Sequence, residues 1–246
     1  GGLGDVVGAL PLALAGEGVL VTTLVPGYPA VIAALKGARR VHRFKSLMGG
    51  RADLLRGQAG DLDLLVLDAP HLYDRPGNPY LQAPGRAWSD NALRFAALAK
   101  AAAEIGLGLV DDYRPDLIQA HDWHAGLTPA YLHYARKSDP KVKVPPVVLS
   151  IHNLAFQGCF PASLLASLGL PPEALSIDGV EYWGEIGFLK AGIQFADQVT
   201  TVSPSYAAEI TTEEGGMGLG GLLKARAKRL IGVLNGIDTN VWNPQT

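Results

Sequence analysis

The sequence predicts an α/β protein built on a parallel β-sheet with helices on both faces. Three observations carry this. Short runs rich in β-branched and aliphatic residues, such as Val147-Val148-Leu149-Ser150-Ile151, alternate with longer helical stretches along nearly the whole of the 246-residue chain, which is the pattern of repeated βαβ units. The runs end in glycine, proline or polar residues, as Val25-Pro26-Gly27 does, and this bounds them as strands. Hydrophobic residues make up 48% of the chain, enough for a full core.

Taken in order, Leu3 to Ala15 reads as a helix following a glycine loop, made largely apolar by Leu10, Leu12, Ala13 and Leu14. Val19 to Val25 reads as a buried strand and Val31 to Leu35 as a short helix. Arg39 to Leu67 mixes polar and apolar residues with several glycines, and its clearest strand is Leu62 to Leu67. Pro70 to Pro84 is rich in proline, glycine and aromatic residues and reads as an irregular surface loop. Long loops of that composition in α/β proteins often bind ligands. Asp90 is placed to cap a helix from Asn91 to near Ile105, with Leu93, Ala96, Ala97 and Ala101 inward.

Downstream, Leu117 to Ala120 is a strand, Ala125 to Arg136 a helix, Val147 to Ile151 a strand and Pro161 to Leu168 a helix. Ile186 to Phe195 is a mostly apolar helix and Gln198 to Val202 a strand. Ser203-Pro204 reads as an N-cap followed by proline at the first helical position. Ile231 to Leu234 is a last strand. One domain of Rossmann type, residues 1–234, accounts for almost all of this, and residues 235–246 read as an exit segment.

A formal net charge of −2 and a pI near 6.3 argue against an electrostatic nucleic-acid binder, which would show a basic stripe. No apolar run approaches membrane-spanning length. The single cysteine, Cys159, allows no intrachain disulfide and weakly fits a reducing compartment. It reads as an inert buried thiol, since the sequence places no base beside it. The chain opens at Gly1 without methionine, inside a polar glycine loop, and is expected to be a fragment.

Three polar loops carry the chemistry. Gly1-Gly2-Leu3-Gly4-Asp5 offers backbone N–H groups ahead of a helix and lets a phosphate or sugar approach closely. A tight turn is the plainer alternative. The spacing of Gly2, Gly4 and Gly8 misses a dinucleotide fingerprint by one residue, and Val25-Pro26-Gly27 stands where an acidic residue would end the second strand. A nicotinamide dehydrogenase is disfavoured on both counts.

His121-Asp122-Trp123-His124 follows a strand. A metal site there would want a third ligand at a recognisable spacing, and none is visible. Asp122 could simply cap a helix. The favoured reading is a ligand site, with the carboxylate accepting sugar hydroxyl hydrogen bonds and the indole lying against a pyranose face. His152-Asn153 follows the neighbouring strand. Ligands bind at the carboxyl ends of strands in open α/β sheets, so this pair reads as hydroxyl or carbonyl recognition, with a buried hydrogen-bonding histidine as the alternative. Glu181, Glu185 and Lys190, around Tyr182-Trp183, read as a loop and a solvated helix face. Lys224, Arg226, Lys228 and Arg229 read as a basic helix end facing solvent.

These motifs, in order, resemble the bacterial glycogen synthase and plant starch synthase family of glycosyltransferases. The pieces are residues 1–11, Asp74-Arg75-Pro76-Gly77-Asn78-Pro79-Tyr80, Asp90-Asn91-Ala92-Leu93-Arg94-Phe95, His121 to Gly126 and His152 to Gly158. Phe188 to Gly192, Val199 to Pro204 and Leu234 to Asp238 complete the set. The resemblance covers essentially the whole chain, and eight pieces in sequence make it specific.

The resemblance implies a two-domain GT-B architecture with the active site between two Rossmann-like domains. It implies transfer of glucose from ADP-glucose to the non-reducing end of an α-1,4-glucan, with retention. This chain would be the N-terminal, acceptor-side domain without its first strand, with the interdomain linker starting at Asn235, and would be inactive alone. Carried over by motif, Asp122 and His152 would hold the transferred glucose, with Asn153 beside them. Gly1 and Gly2 would approach the donor, Asp5 would face the acceptor, Tyr80, Trp123 and His124 would line the sugar cleft, and Asn235 would return to it. No cofactor, metal, nucleic acid or membrane partner is implied. Two alternatives are another GT-B transferase with a different nucleotide-sugar donor and a non-catalytic glucan-binding module. Bacterial cytoplasm is the expected compartment, with a plastid as the alternative.

Overall fold

The computed structural model describes residues 2–82, 84–237 and 243. In chain order it holds α1 (Gly2–Ala15), β1 (Thr22–Pro26), α2 (Pro29–Ala34), β2 (Lys36–Leu47), β3 (Gly50–Ala59), β4 (Leu62–Asp68), α3 (Pro70–Tyr73), β5 (Leu81–Gln82), β6 (Arg86–Ala87) and α4 (Asn91–Gly106). There follow β7 (Ile118–His121), α5 (Leu127–Ser138), β8 (Val147–Ile151), β9 (Cys159–Pro161), β10 (Glu181–Tyr182), β11 (Glu185–Gly187), α6 (Phe188–Phe195), β12 (Gln198–Thr201), α7 (Pro204–Glu209), α8 (Gly220–Ala225) and β13 (Leu230–Gly232).

Two four-stranded sheets organise these elements. The second has the order β13-β12-β8-β7 and is parallel at every pairing, as the βαβ pattern requires. Its strands are short and apolar on one face: Leu149 and Ile151 of β8 and Val199 of β12 have no exposed surface. The first sheet has the order β1-β4-β3-β2 and is mixed. Here β1 lies parallel to β4, while β3 runs antiparallel to both β4 and β2.

The β2–β3 hairpin corrects the reading of Arg39 to Leu67, which recognised only the strand that became β4. Its physical cause is local. Register breaks between Arg40 and His42 and between Phe44 and Leu47 interrupt the alternation of β2, so the period of two that marks a strand is lost. The turn at Met48-Gly49 has both residues at positive φ, 47° and 92°, as a two-residue hairpin turn demands.

Helix α4 joins the two halves of the core. Ala92, Phe95, Ala96, Ala99 and Ala103 pack into the cluster under the second sheet. Ala97 and Ala101, on another face of the same helix, pack with Leu67, Leu72 and Tyr73. A helix that is small and apolar on more than one side is an interior helix, and the alanine run makes it so. Burial of each leucine in these clusters stabilises the fold by about 2 kcal/mol.

Four further expectations are corrected. Asp90 makes no side-chain cap on α4; its carboxylate instead takes two bonds from Arg75, at 2.9 and 2.8 Å. Pro161 to Leu168 forms only a single 3₁₀ turn, Ala162–Leu164, not a helix. The helix expected from Ile186 starts at Phe188, because Glu185–Gly187 pairs as β11 with β9 and β10. Lys190 is not on a solvated face: it is 7% exposed, and its Nζ donates to the carbonyls of Ile177 and Gly179 at 2.5 and 2.6 Å. The N-cap at Ser203 is as expected, its Oγ accepting the Tyr206 N–H at 3.0 Å. Among the described residues no helix is long and apolar enough to cross a membrane.

Candidate active site

Strands β7 and β8 are parallel neighbours, with His121 opposite Ser150. Their carboxyl-terminal loops therefore emerge side by side, and the two polar motifs meet there. Asp122 is 6% exposed. Its N–H continues the ladder to Ser150 O at 2.9 Å, and its side chain crosses to the next loop, where Oδ1 accepts the His152 N–H at 2.7 Å. It does not cap the 3₁₀ turn Trp123–Ala125 that follows, which settles the capping alternative against it. Its backbone sits at φ 50°, ψ −162°, a region close to one reserved for glycine and costing about 1–3 kcal/mol.

Burial pushes the Asp122 carboxyl above the usual carboxylate range, against the backbone N–H of His152, the charge of His152 and the backbone N–H of Asn153. His152 turns its ring toward His121, with His121 Nδ1 and His152 Nε2 3.0 Å apart. Asn153 is exposed, and its Oδ1 accepts the Ala155 N–H at 3.0 Å, which leaves its amide nitrogen for a ligand.

Tyr80 arrives from the 70–84 loop and lies over this corner. Its ring centroid is 5.4 Å from that of His124 and 5.9 Å from that of Phe95. Burial raises its hydroxyl pKa, and the Asp122 charge raises it further. The loop is anchored at both sides of Tyr80. Asn78 Oδ1 accepts the N–H groups of Tyr80 and Leu81, Asn91 Nδ2 donates to Tyr80 O, and Arg94 Nη1 donates to Pro79 O.

His124 stacks on Trp123 with centroids 4.4 Å apart. Both of its ring nitrogens are buried without a hydrogen-bond partner. Burial, then the His152 charge, pushes its pKa down to about 4. A buried imidazole with two open nitrogens is where a ligand hydroxyl or a water would bind. Among the described residues there is no cluster of three metal-ligating side chains.

Not every expected site residue converges. Trp123 is 9% exposed, and its ring packs on Phe95, Phe160 and Phe188 within the core. A Cβ on Gly158 would lie 2.4 Å from the indole, so the Gly158 backbone lies against the ring, as does the stacked His124. Trp123 supports the site from below and offers no open face to a sugar. Gly2 is the first residue of α1, so Gly2 and Gly4 stand in the helix and not in a loop. The space where a Cβ would project is open at both. Asp5 is exposed in the first turn of α1. Asn235 is exposed beyond β13. Gly1 lies outside the described residues, as does most of the 235–246 segment.

Sequence reasoning overlooked two groups. His121 carries the contact to His152, and its signal in the sequence was its place just past a strand, next to Asp122. Arg75, Asn91 and Arg94 fix the Tyr80 loop, and an arginine on the apolar face of α4 was the signal available.

The starch synthase catalytic domain family matches residues 1–225 of the chain. The chain belongs to that family. Within it, the chain is 61% identical to a glycogen synthase of Rhodopseudomonas palustris strain BisB18, over 100% of its own length and 49% of that protein. It is 60% identical to a glycogen synthase of Acidiphilium cryptum, over 100% of its length and 50% of that protein. Among solved structures it superposes on the catalytic domain of starch synthase IV from Arabidopsis thaliana bound to ADP and acarbose. The TM-score is 0.84 at 31% identity, covering 100% of this chain and 50% of that one. The chain thus spans about half the length of the starch and glycogen synthases it matches.

Proposed function

We propose that this chain is the acceptor-side half of a retaining glucosyltransferase that moves glucose from ADP-glucose to the non-reducing end of an α-1,4-glucan. The observation that carries the reading is the junction of Asp122 and His152 across two strand ends, with Tyr80 and the open nitrogens of His124 above it. A buried carboxylate, imidazole nitrogens and a phenol are the groups that hold sugar hydroxyls. The solved starch synthase IV carries ADP and acarbose, in keeping with a nucleotide-sugar donor and a glucan acceptor.

In this reading Asp122, His152 and Asn153 orient the transferred glucose, and Tyr80 and His124 line the acceptor side. Gly2 and Asp5, at the exposed start of α1, face donor and acceptor. Residues 1–234 form the domain, residues 235–246 lead toward a second one carrying most of the donor site, and Asn235 returns to the cleft. The bond from the glucosyl C1 to the diphosphate oxygen breaks as the bond from C1 to the acceptor oxygen forms on the same face. The acceptor hydroxyl proton passes to the departing diphosphate. The transition state has oxocarbenium character, and the strained, largely buried Asp122 lies where a preorganised negative group lowers its energy. Closure of the two domains excludes water, which would otherwise compete as acceptor. The bacterial relatives favour a bacterial cytoplasm over a plastid.

The test is nucleotide release by the full-length protein with glycogen present and ADP-glucose or UDP-glucose as donor. Glycogen-dependent ADP release with a longer glucan is expected. Release of UDP alone would reassign the donor, and release from neither donor would overturn glucosyl transfer.

A further inference from the structure

The face of the second sheet that bears the histidines is polar in a regular way. Side chains two apart on a strand share a face, so Gln119 and His121 of β7 lie together, as do Ser150 of β8 and His152 just beyond it. Gln119 Nε2 donates to Ser150 Oγ at 2.8 Å, and Ser150 Oγ meets Thr200 Oγ1 of β12 at 2.8 Å. This is a cross-strand rung of three side chains. One step along the strands, His121 and His152 form the next rung, with Nδ1 and Nε2 3.0 Å apart and rings 5.3 Å between centroids at 24°.

A contact of 3.0 Å between two imidazole nitrogens needs one proton between them, since two protons or two lone pairs would repel. His121 sits on a strand that is paired through its last residue, so its ring is held from below. His152 sits on a loop, where its N–H bond to Asp122 and this imidazole contact are the hydrogen bonds that position it among the described residues. Burial, then the charges of His152 and His124, push His121 down to about 4. His121 is therefore uncharged at neutral pH. Besides those two histidines, Asp122 follows His121 directly, and its charge reaches the Tyr80 hydroxyl.

We propose that His121 is a positioning residue for His152: it holds His152 Nε2 in a one-proton hydrogen bond, fixes one ring orientation and one tautomer, and leaves Nδ1 as the nitrogen that meets the sugar. This rests on the proposed role of His152 in glucosyl transfer. The group that touches substrate is His152, and His121 acts through it, as the second partner of a functional histidine commonly sets which nitrogen carries the proton.

The test has two arms on the full-length protein. The first is ¹⁵N NMR of the imidazoles without substrate, with His152 assigned from its loss in His152→Gln. At neutral pH the expected His152 spectrum shows one protonated and one bare nitrogen, and in His121→Phe the two signals move toward the average of a tautomer mixture. The second arm is transfer kinetics. His121→Phe is expected to lower kcat by about 10- to 100-fold, the scale of a misplaced reacting group, with the acceptor KM little changed. His121→Asn, whose amide can donate or accept at the place of Nδ1, is expected to restore most of that loss.

An averaged His152 spectrum in the unsubstituted protein overturns the proposal even if His121→Phe fails to fold. So does an unchanged spectrum in a folded His121→Phe, or a changed spectrum with unchanged kcat. Absence of transfer by the unsubstituted protein would count against glucosyl transfer and not against the histidine pair, which the spectra judge alone.

Discussion

Asp122 Oδ1 accepts the backbone N–H of His152 at 2.7 Å, joining two loops that are 30 residues apart in sequence. Asp122 makes this bond from a backbone at a positive φ of 50°, and its side chain does not cap its own 3₁₀ turn. Backbone strain of about 1–3 kcal/mol is held here, in keeping with the proposed role of Asp122.

Replacement of Asp122 by asparagine separates charge from shape. Asparagine keeps an acceptor for the His152 N–H and removes the negative charge. Asp122→Asn should lower glucosyl transfer by about 100-fold or more while thermal unfolding stays near that of the parent. Asp122→Ala also strands a part-buried N–H, and it should cost about 1 kcal/mol of stability in addition. Near-parental turnover in Asp122→Asn would remove Asp122 from the sugar site.

Two buried imidazoles give the fold an acid limit. Burial holds His121 and His124 at about 4, below the 6.5 of an ordinary histidine. Between those values the unfolded chain binds the protons and the folded chain does not, so stability falls as pH drops from about 6.5 toward 4. Each histidine contributes about 3 kcal/mol to that loss at its acid end. The raised carboxyl of Asp122 acts in the opposite sense, since its folded form takes a proton more readily than its unfolded form. Urea midpoints measured at pH 7 and pH 5 should differ clearly in the parent. His124→Phe keeps the ring stack on Trp123 and should show a smaller difference, and an equal one would mean that His124 is protonated in the fold.

The elements that could be read from the sequence are those whose cause is local. The alanine run of α4, the valine-rich β8 and the Ser203-Pro204 cap each carry their signal within a few residues. What could not be read depends on distant partners. Asp90 looks like a cap until Arg75, 15 residues earlier, takes its carboxylate. Lys190 looks solvated until the 177–179 loop folds over it. Asp122 followed by a turn is ambiguous between cap and ligand group for the same reason. The eight motif pieces pointed to the two strand-end loops that meet in the fold, yet only geometry shows that Trp123 is turned into the core and that His121 belongs with His152.

Gly158 is fixed by the indole beneath it. Its φ is 63°, and a Cβ would lie 2.4 Å from Trp123. Gly158→Ala therefore meets backbone strain and a clash with a ring that cannot retreat, because Phe95, Phe160 and Phe188 are packed around it. The expected loss is about 2–4 kcal/mol, read by thermal unfolding, with a changed near-ultraviolet circular dichroism from the displaced indole. A loss below about 1 kcal/mol would show that the loop relaxes away from Trp123.

Arg94 and Tyr80 separate the scaffold of the proposed acceptor side from its proposed contact surface. Arg94 is 1% exposed, and its guanidinium donates to Leu72 O, Pro79 O and Asn91 Oδ1 at 2.7–2.8 Å. Each of these acceptors is neutral, and burial lowers the arginine pKa against the opposing pull of the Asp90 charge. Arg94→Met fits the volume and strands three acceptors, which should cost about 3 kcal/mol and expose the 74–88 loop to proteolysis. Tyr80→Ala leaves those anchors in place, since Asn91 and Arg94 bond the backbone and not the ring. It should raise the acceptor KM by about tenfold, the worth of one lost ring contact, with little change in stability or in proteolysis of the loop. Both variants should weaken acceptor use, and only Arg94→Met should loosen the loop. If Tyr80→Ala leaves the acceptor KM unchanged, the ring belongs to the scaffold and the glucan runs elsewhere.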